Sequence, residues 1–174
     1  MGYATPEDAA RGDVPARYVN VVAVVVRGDQ ALVAQLTNDR PPYEIDTAHC
    51  TRDPDGTWEE GSSGNSSGGF LPTGDRVGTF VAWEEAPEGV VAARFVCQGR
   101  ELKVQVEKGC VVAVFDDVTL REPVDVLLAT PRLVAWIRAN GAEQRVQRHE
   151  PSAWLRERAR RLFDEQRANP PDDQ

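Results

Sequence analysis

What this chain has little of narrows it first. Its longest uninterrupted apolar run, Val21–Val26, is six residues, and a membrane-spanning helix needs about 20. No membrane partner is expected on that count. Lysine is nearly missing: Lys103 and Lys108 are the only two, and the formal charge is −8. Nucleic-acid affinity rests on basic groups that displace counterions from phosphates, so a nucleic-acid partner is not expected either. Cysteine is scarce and odd in number, at Cys50, Cys97 and Cys110. Such wide spacing argues against a disulfide framework and points to a reducing compartment. The opening MGYATPEDAARG has no apolar core of the signal-peptide kind. The expected location is cytoplasmic.

What is there reads as β structure. Thr5-Pro6-Glu7-Asp8 starts a short helix, with Thr as cap, Pro in the first turn and acids at the positive dipole end; Gly12 stops it. Tyr18–Val26 and Ala31–Thr37 are β-branched-rich runs around Gly28-Asp29, a hairpin signal. Further strands are expected at Tyr43–Thr51, Thr57–Glu60, Gly78–Glu84, Val90–Cys97, Glu101–Val106 and Cys110–Phe115, with hairpin turns at Gln98-Gly99 and Lys108-Gly109. Beyond Asp116-Asp117 the pattern changes. Thr130-Pro131 and Asn140-Gly141 bracket an expected helix carrying Leu133, Trp136 and Ile137, and a second helix is expected from Pro151. The fold class is then a mainly β, antiparallel, sandwich-like domain of about eight strands with two C-terminal helices. One domain is expected over residues 1–168, and a disordered tail over 169–174.

The stretch GSSGNSSGGF, Gly61–Phe70, opens the longest expected loop, Gly61–Val77. Gly64 and Gly69 are spaced like phosphate-loop glycines, but Phe70-Leu71 stands where Lys-Ser/Thr must reach the phosphate and magnesium, so no nucleotide is expected. Gly64-Asn65-Ser66-Ser67-Gly68 fits the G-x-S-x-G turn of serine hydrolases, and chain order permits a triad of Ser66, Asp116 or Asp117, and His149. The buried strand before the serine and the helix after it are both missing from the pattern. A loop joining two sheets is the plainer expectation. His49-Cys50 with Cys97 and Cys110 lacks paired metal-ligand spacing, so no metal is expected, and no cofactor motif is present. Arg-Gly-Asp occurs at Arg11–Asp13 and Arg27–Asp29, where Gly-Asp serves turns.

Two segments repeat the word Trp-Glu-Glu: Trp58-Glu59-Glu60 and Trp83-Glu84-Glu85. Aromatic anchors beside carboxylates suit docking of a basic partner; tryptophans at sheet rims would equally be core. The expected function is a non-catalytic acidic module binding a basic protein, of an immunity or regulatory type. The alternative is a small serine hydrolase or small-ligand binder using the Gly61–Phe70 segment. The composition is also compatible with a homo-oligomer.

Overall fold

The computed structural model of the protein describes residues 2–36, 45–64, 67–120 and 131–147, with scattered positions between 157 and 168. Helix α1 (Pro6–Arg11) begins as its sequence demands: the Thr5 hydroxyl accepts the Asp8 N–H at 3.2 Å, and Gly12 closes it at φ +55°. Strands β1 (Asn20–Arg27), β2 (Gln30–Leu36), β3 (Ile45–Arg52) and β4 (Trp58–Gly64) form a first antiparallel sheet in chain order. Strands β5 (Gly68–Gly74), β6 (Val77–Glu85) and β9 (Cys110–Thr119) make a middle sheet in the order β5-β6-β9. A third sheet runs β11 (Glu143–Arg145), β10 (Arg132–Arg138), β7 (Val90–Cys97), β8 (Arg100–Gln105). Gln98-Gly99 turns β7 into β8 with φ positive at both residues, the geometry whose twist matches the flanking strands.

The layers stack because β6 is apolar on both faces. Val81 and Trp83 pack against Val25, Leu32 and Ala34 of the first sheet, while Phe80 and Ala82 pack against Ala93, Phe95 and Leu133 of the third. Strand β9 repeats the division, with Val112 and Val114 facing one way and Val111, Ala113 and Phe115 the other. On its outer face the first sheet is covered by Ala9 and Ala10 of α1, which rest on Ala31, Val33, Ala48, Cys50 and Trp58. Each large side chain withdrawn from water this way contributes roughly 1.5–3 kcal/mol. Sheets therefore pack in three layers, where two had been expected.

Three further expectations change. The described residues hold eleven strands, not about eight. The first C-terminal helix is strand β10: Leu133, Ala135 and Ile137 are buried at every second position, and the strand pairs with β7 along its length. Asn140-Gly141 keeps its turn chemistry, with the Asn140 side chain accepting the Ala142 N–H and Gly141 at φ +81°, but it closes the β10–β11 hairpin. The second C-terminal helix falls largely outside the described residues, as does the 169–174 tail, and α1 is the one α-helical element defined. Finally, the long Gly61–Val77 loop is mostly strand: β4 runs to Gly64 and β5 starts at Gly68. It does join two sheets.

Candidate functional site

The layers are offset, and the offset creates a cleft. Strand β5 ends the middle sheet and lies over β2, so the inward face of β3 and β4 has no strand opposite it among the described residues. Leu32 and Ala34 of β2 face the middle sheet. Their direct partners on β3 are His49 and Thr47, and the partners of those on β4 are Ser62 and Gly64. Side chains paired across a ladder share a face, so the inward surface changes from apolar on β2 to polar on β3 and β4.

Two local features set this geometry. A bulge at Glu60-Gly61 inserts one residue opposite the His49–Cys50 step, which puts Ser62 beside His49. Glycine lets β5 come close: a Cβ on Gly69 would lie 3.0 Å from both Leu32 methyls, and one on Gly68, at φ +146°, would lie 2.0 Å from the Val81 carbonyl oxygen. The result is a cavity of about 470 Å³ with Thr47, His49 and Ser62 on its floor and Gly68, Gly69 and Pro72 on its wall. Gln30 lines one end. Register places Glu59 on the same face at that end, opposite Thr51, which itself pairs with Gln30. Asp29, Asp53 and Asp55 stand on the adjoining turns, and Asp55 accepts both the amide and the hydroxyl of Thr57, which holds its carboxyl below the usual range. Arg52 is the cation there, its guanidinium on the Gly56 carbonyl and over the Trp58 ring.

Of the triad Ser66–Asp116–His149, Ser66 and His149 lie outside the described residues. Asp116 is described and engaged: it accepts from Thr79 Oγ1 at 2.6 Å and from Arg27 Nε and Nη2 at 2.8 and 2.9 Å. The Thr79 hydrogen bond, with those from Arg27 and its charge, holds the Asp116 carboxyl below the ordinary range against a smaller opposing effect of burial. That constellation ties β1 of the first sheet to β9 of the middle one. Asp117 sits at φ +55° where β9 bulges against β6.

Trp58 is 6% exposed under α1 and Trp83 is 1% exposed between sheets, so both tryptophans are core. Glu59, Glu60 and Glu85 are exposed and Glu84 is half-buried. The two acidic pairs do not form one patch. Glu60 stands opposite Cys50 and hence near Ala31, whereas Glu85 lines a second cavity with Leu36 and Asn20, at the other end of β2. Five residues of strand separate those ends, roughly 16 Å.

The cysteines are three buried thiols, none in a disulfide. Cys50 donates to the Pro6 carbonyl, and burial, aided by Glu60 and Glu7, pushes its thiol up to about 11. Among the described residues no group of His, Cys, Asp and Glu gathers as metal ligands would.

Gln30 and Thr47 carry no motif in the sequence, His49 enters it only as a metal-ligand candidate, and Ser62 only as part of the Gly61–Phe70 segment. The signal was in Thr47-Ala48-His49-Cys50-Thr51, where small apolar and polar residues alternate: the face carrying Ala48 and Cys50 is core, and the opposite face is polar although it points inward. No family model matches the chain, and neither the curated proteins nor the solved structures contain a match to it.

Proposed function

We propose that this protein is a binding module for a basic partner and that the cleft between β5 and the β3–β4 half of the first sheet is where the partner is held. The observation that carries the reading is the cavity of about 470 Å³ whose polar floor has no layer opposite it among the described residues. Its size falls in the range of ligand pockets, about 300–1,000 Å³, with a few polar groups that fix orientation. The charge of −8 and the position of Glu59 at one end favour a cationic ligand. The acidic regulator of a basic target keeps its chemistry in this reading, but its contact moves from the Trp-Glu-Glu words to the cleft.

The test follows the His49 ring resonances by NMR, assigned against His49→Gln, while arginine amide is added. His49 should shift with arginine amide and not with glutamate, and the shift should weaken as added salt shortens the Debye length from about 10 Å at 0.1 M to about 3 Å at 1 M. A His49 ring that ignores arginine amide at low salt would sink the proposal.

A further inference from the structure

We infer that the cleft takes an extended peptide segment bearing basic side chains, which adds to β5 as a fourth strand of the middle sheet; this deepens the binding reading above and rests on it. Among the described residues the first and third sheets have four strands each and the middle sheet three. The place a fourth strand would occupy is the space over β3 and β4. Strand β5 pairs with β6 alone among the described residues, and from Phe70 onward its other edge faces that space.

The phase of that edge can be derived. The Trp83 N–H donates to the Ser67 carbonyl at 2.9 Å, and the same register pairs Gly69 with Val81 and Leu71 with Thr79. Hydrogen-bonded and non-hydrogen-bonded pairs alternate along an antiparallel ladder. Gly69 and Leu71 therefore turn their backbone groups to β6, and Phe70 turns its N–H and C=O to the open edge. Pro72, two residues on, takes the same outward phase. Proline has no N–H to offer a ladder and belongs at such an edge position. The Phe70 ring packs on the far side, tilted 53° against Phe80 with ring centroids 4.7 Å apart, and the residue lines the cleft without filling it.

Main-chain donors and acceptors at a sheet edge select an extended peptide, and alternate side chains then reach the floor. Here the floor offers Ser62, His49 and Thr47, with Glu59 at the Gln30 end and Asp29, Asp53 and Asp55 beyond it. A second copy of this chain would bring another −8 and a second acidic mouth, so charge favours a basic segment.

The experiment uses the full chain and an acetylated, amidated hexapeptide alternating arginine and valine. Two N-methylated forms block one backbone edge or the other, and a glutamate-for-arginine peptide is the charge control. The expected result is binding of the arginine peptide, a loss of about tenfold or more when one edge is methylated and little when the other is, and slowed hydrogen exchange at the Phe70 amide. Glu59→Lys, on an exposed position, should weaken binding severalfold, and Ser62→Trp should abolish it with the circular dichroism unchanged. Equal binding of both methylated forms, or of the glutamate peptide, overturns the inference. So does a Phe70 amide already protected in the free protein, which would mean that the chain fills its own edge. If arginine amide moves the His49 ring but the peptide binds no better, strand addition is wrong and the binding reading survives. If neither moves it, both fall.

Discussion

Strands β6, in the middle sheet, and β4, at the end of the first, have opposite fates. Every residue from Gly78 to Trp83 is buried on β6, whereas on β4 burial ends with Trp58 and everything described beyond it is exposed. Strand β6 lies between two sheets and each side chain has a partner layer. Strand β4 ends a sheet and faces, on one side, a cleft. Packing therefore dictates nearly every residue of β6, and on β4 it dictates little past the first. The Gly/Ser composition of β4 is what remains when a strand is needed for its backbone and its small polar side chains.

The sharpest way to break this comparison is to truncate one side chain on each strand. Trp83→Ala removes the largest fully buried side chain of the core and should cost about 3–5 kcal/mol in denaturant unfolding. Ser62→Ala on β4 should stay within about 0.5 kcal/mol. Comparable losses would mean that β4 is packed after all.

Next in size is a contrast inside GSSGNSSGGF. Gly68→Ala places a Cβ 2.0 Å from the Val81 carbonyl oxygen at φ +146°, and should destabilise by about 1–3 kcal/mol or more. Gly64→Ala meets nothing within 4 Å, and its melting temperature should match the parent's. If both substitutions are silent, the close approach of β5 that forms the cleft wall is not real.

The smallest effect concerns the tie between layers at Asp116. Its folded carboxyl is held down by Thr79 and Arg27, so the contribution is present above the unfolded value near 3.9 and is lost as pH falls through the lower folded value. Because half of the side chain is exposed, the contribution should stay under about 1 kcal/mol. Asp116→Asn should flatten the acid limb of the stability–pH curve by that amount. An unchanged acid limb would show that the ion pair contributes nothing.

Much of the fold was legible where local chemistry has one meaning. Gly28-Asp29 and Gln98-Gly99 are hairpin signals, and each closes a hairpin with positive φ where the turn needs it. Lys108-Gly109 keeps its tight turn but not its expected hairpin, because β8 and β9 on either side of it belong to different sheets. Strand β10 was misread because its local signals have two meanings. Thr-Pro before it and Asn-Gly after it serve helix caps and β-turns alike. Leu133, Trp136 and Ile137 have helical spacing, while Leu133, Ala135 and Ile137 have strand spacing, and the pairing with β7 chose the second. The Gly/Ser stretch reads as loop because glycine is a poor strand former and both residues favour turns; β3 and β6 supply the ladders that hold it extended.

By itself the sequence determined the antiparallel β character, the tight turns at Gly28-Asp29, Gln98-Gly99 and Lys108-Gly109, the cap of α1 and the acidic balance. These depend on residues close together in the chain or on composition. Only the tertiary structure decided that Trp58 and Trp83 are core, that Asp116 serves Arg27 and Thr79, and that Thr47, His49 and Ser62 share a cleft with Gly69. Those outcomes depend on which sheet lies over which and by how far it is offset. That offset comes from the summed packing of β6 and β9 against two other sheets, and no local stretch of sequence encodes it.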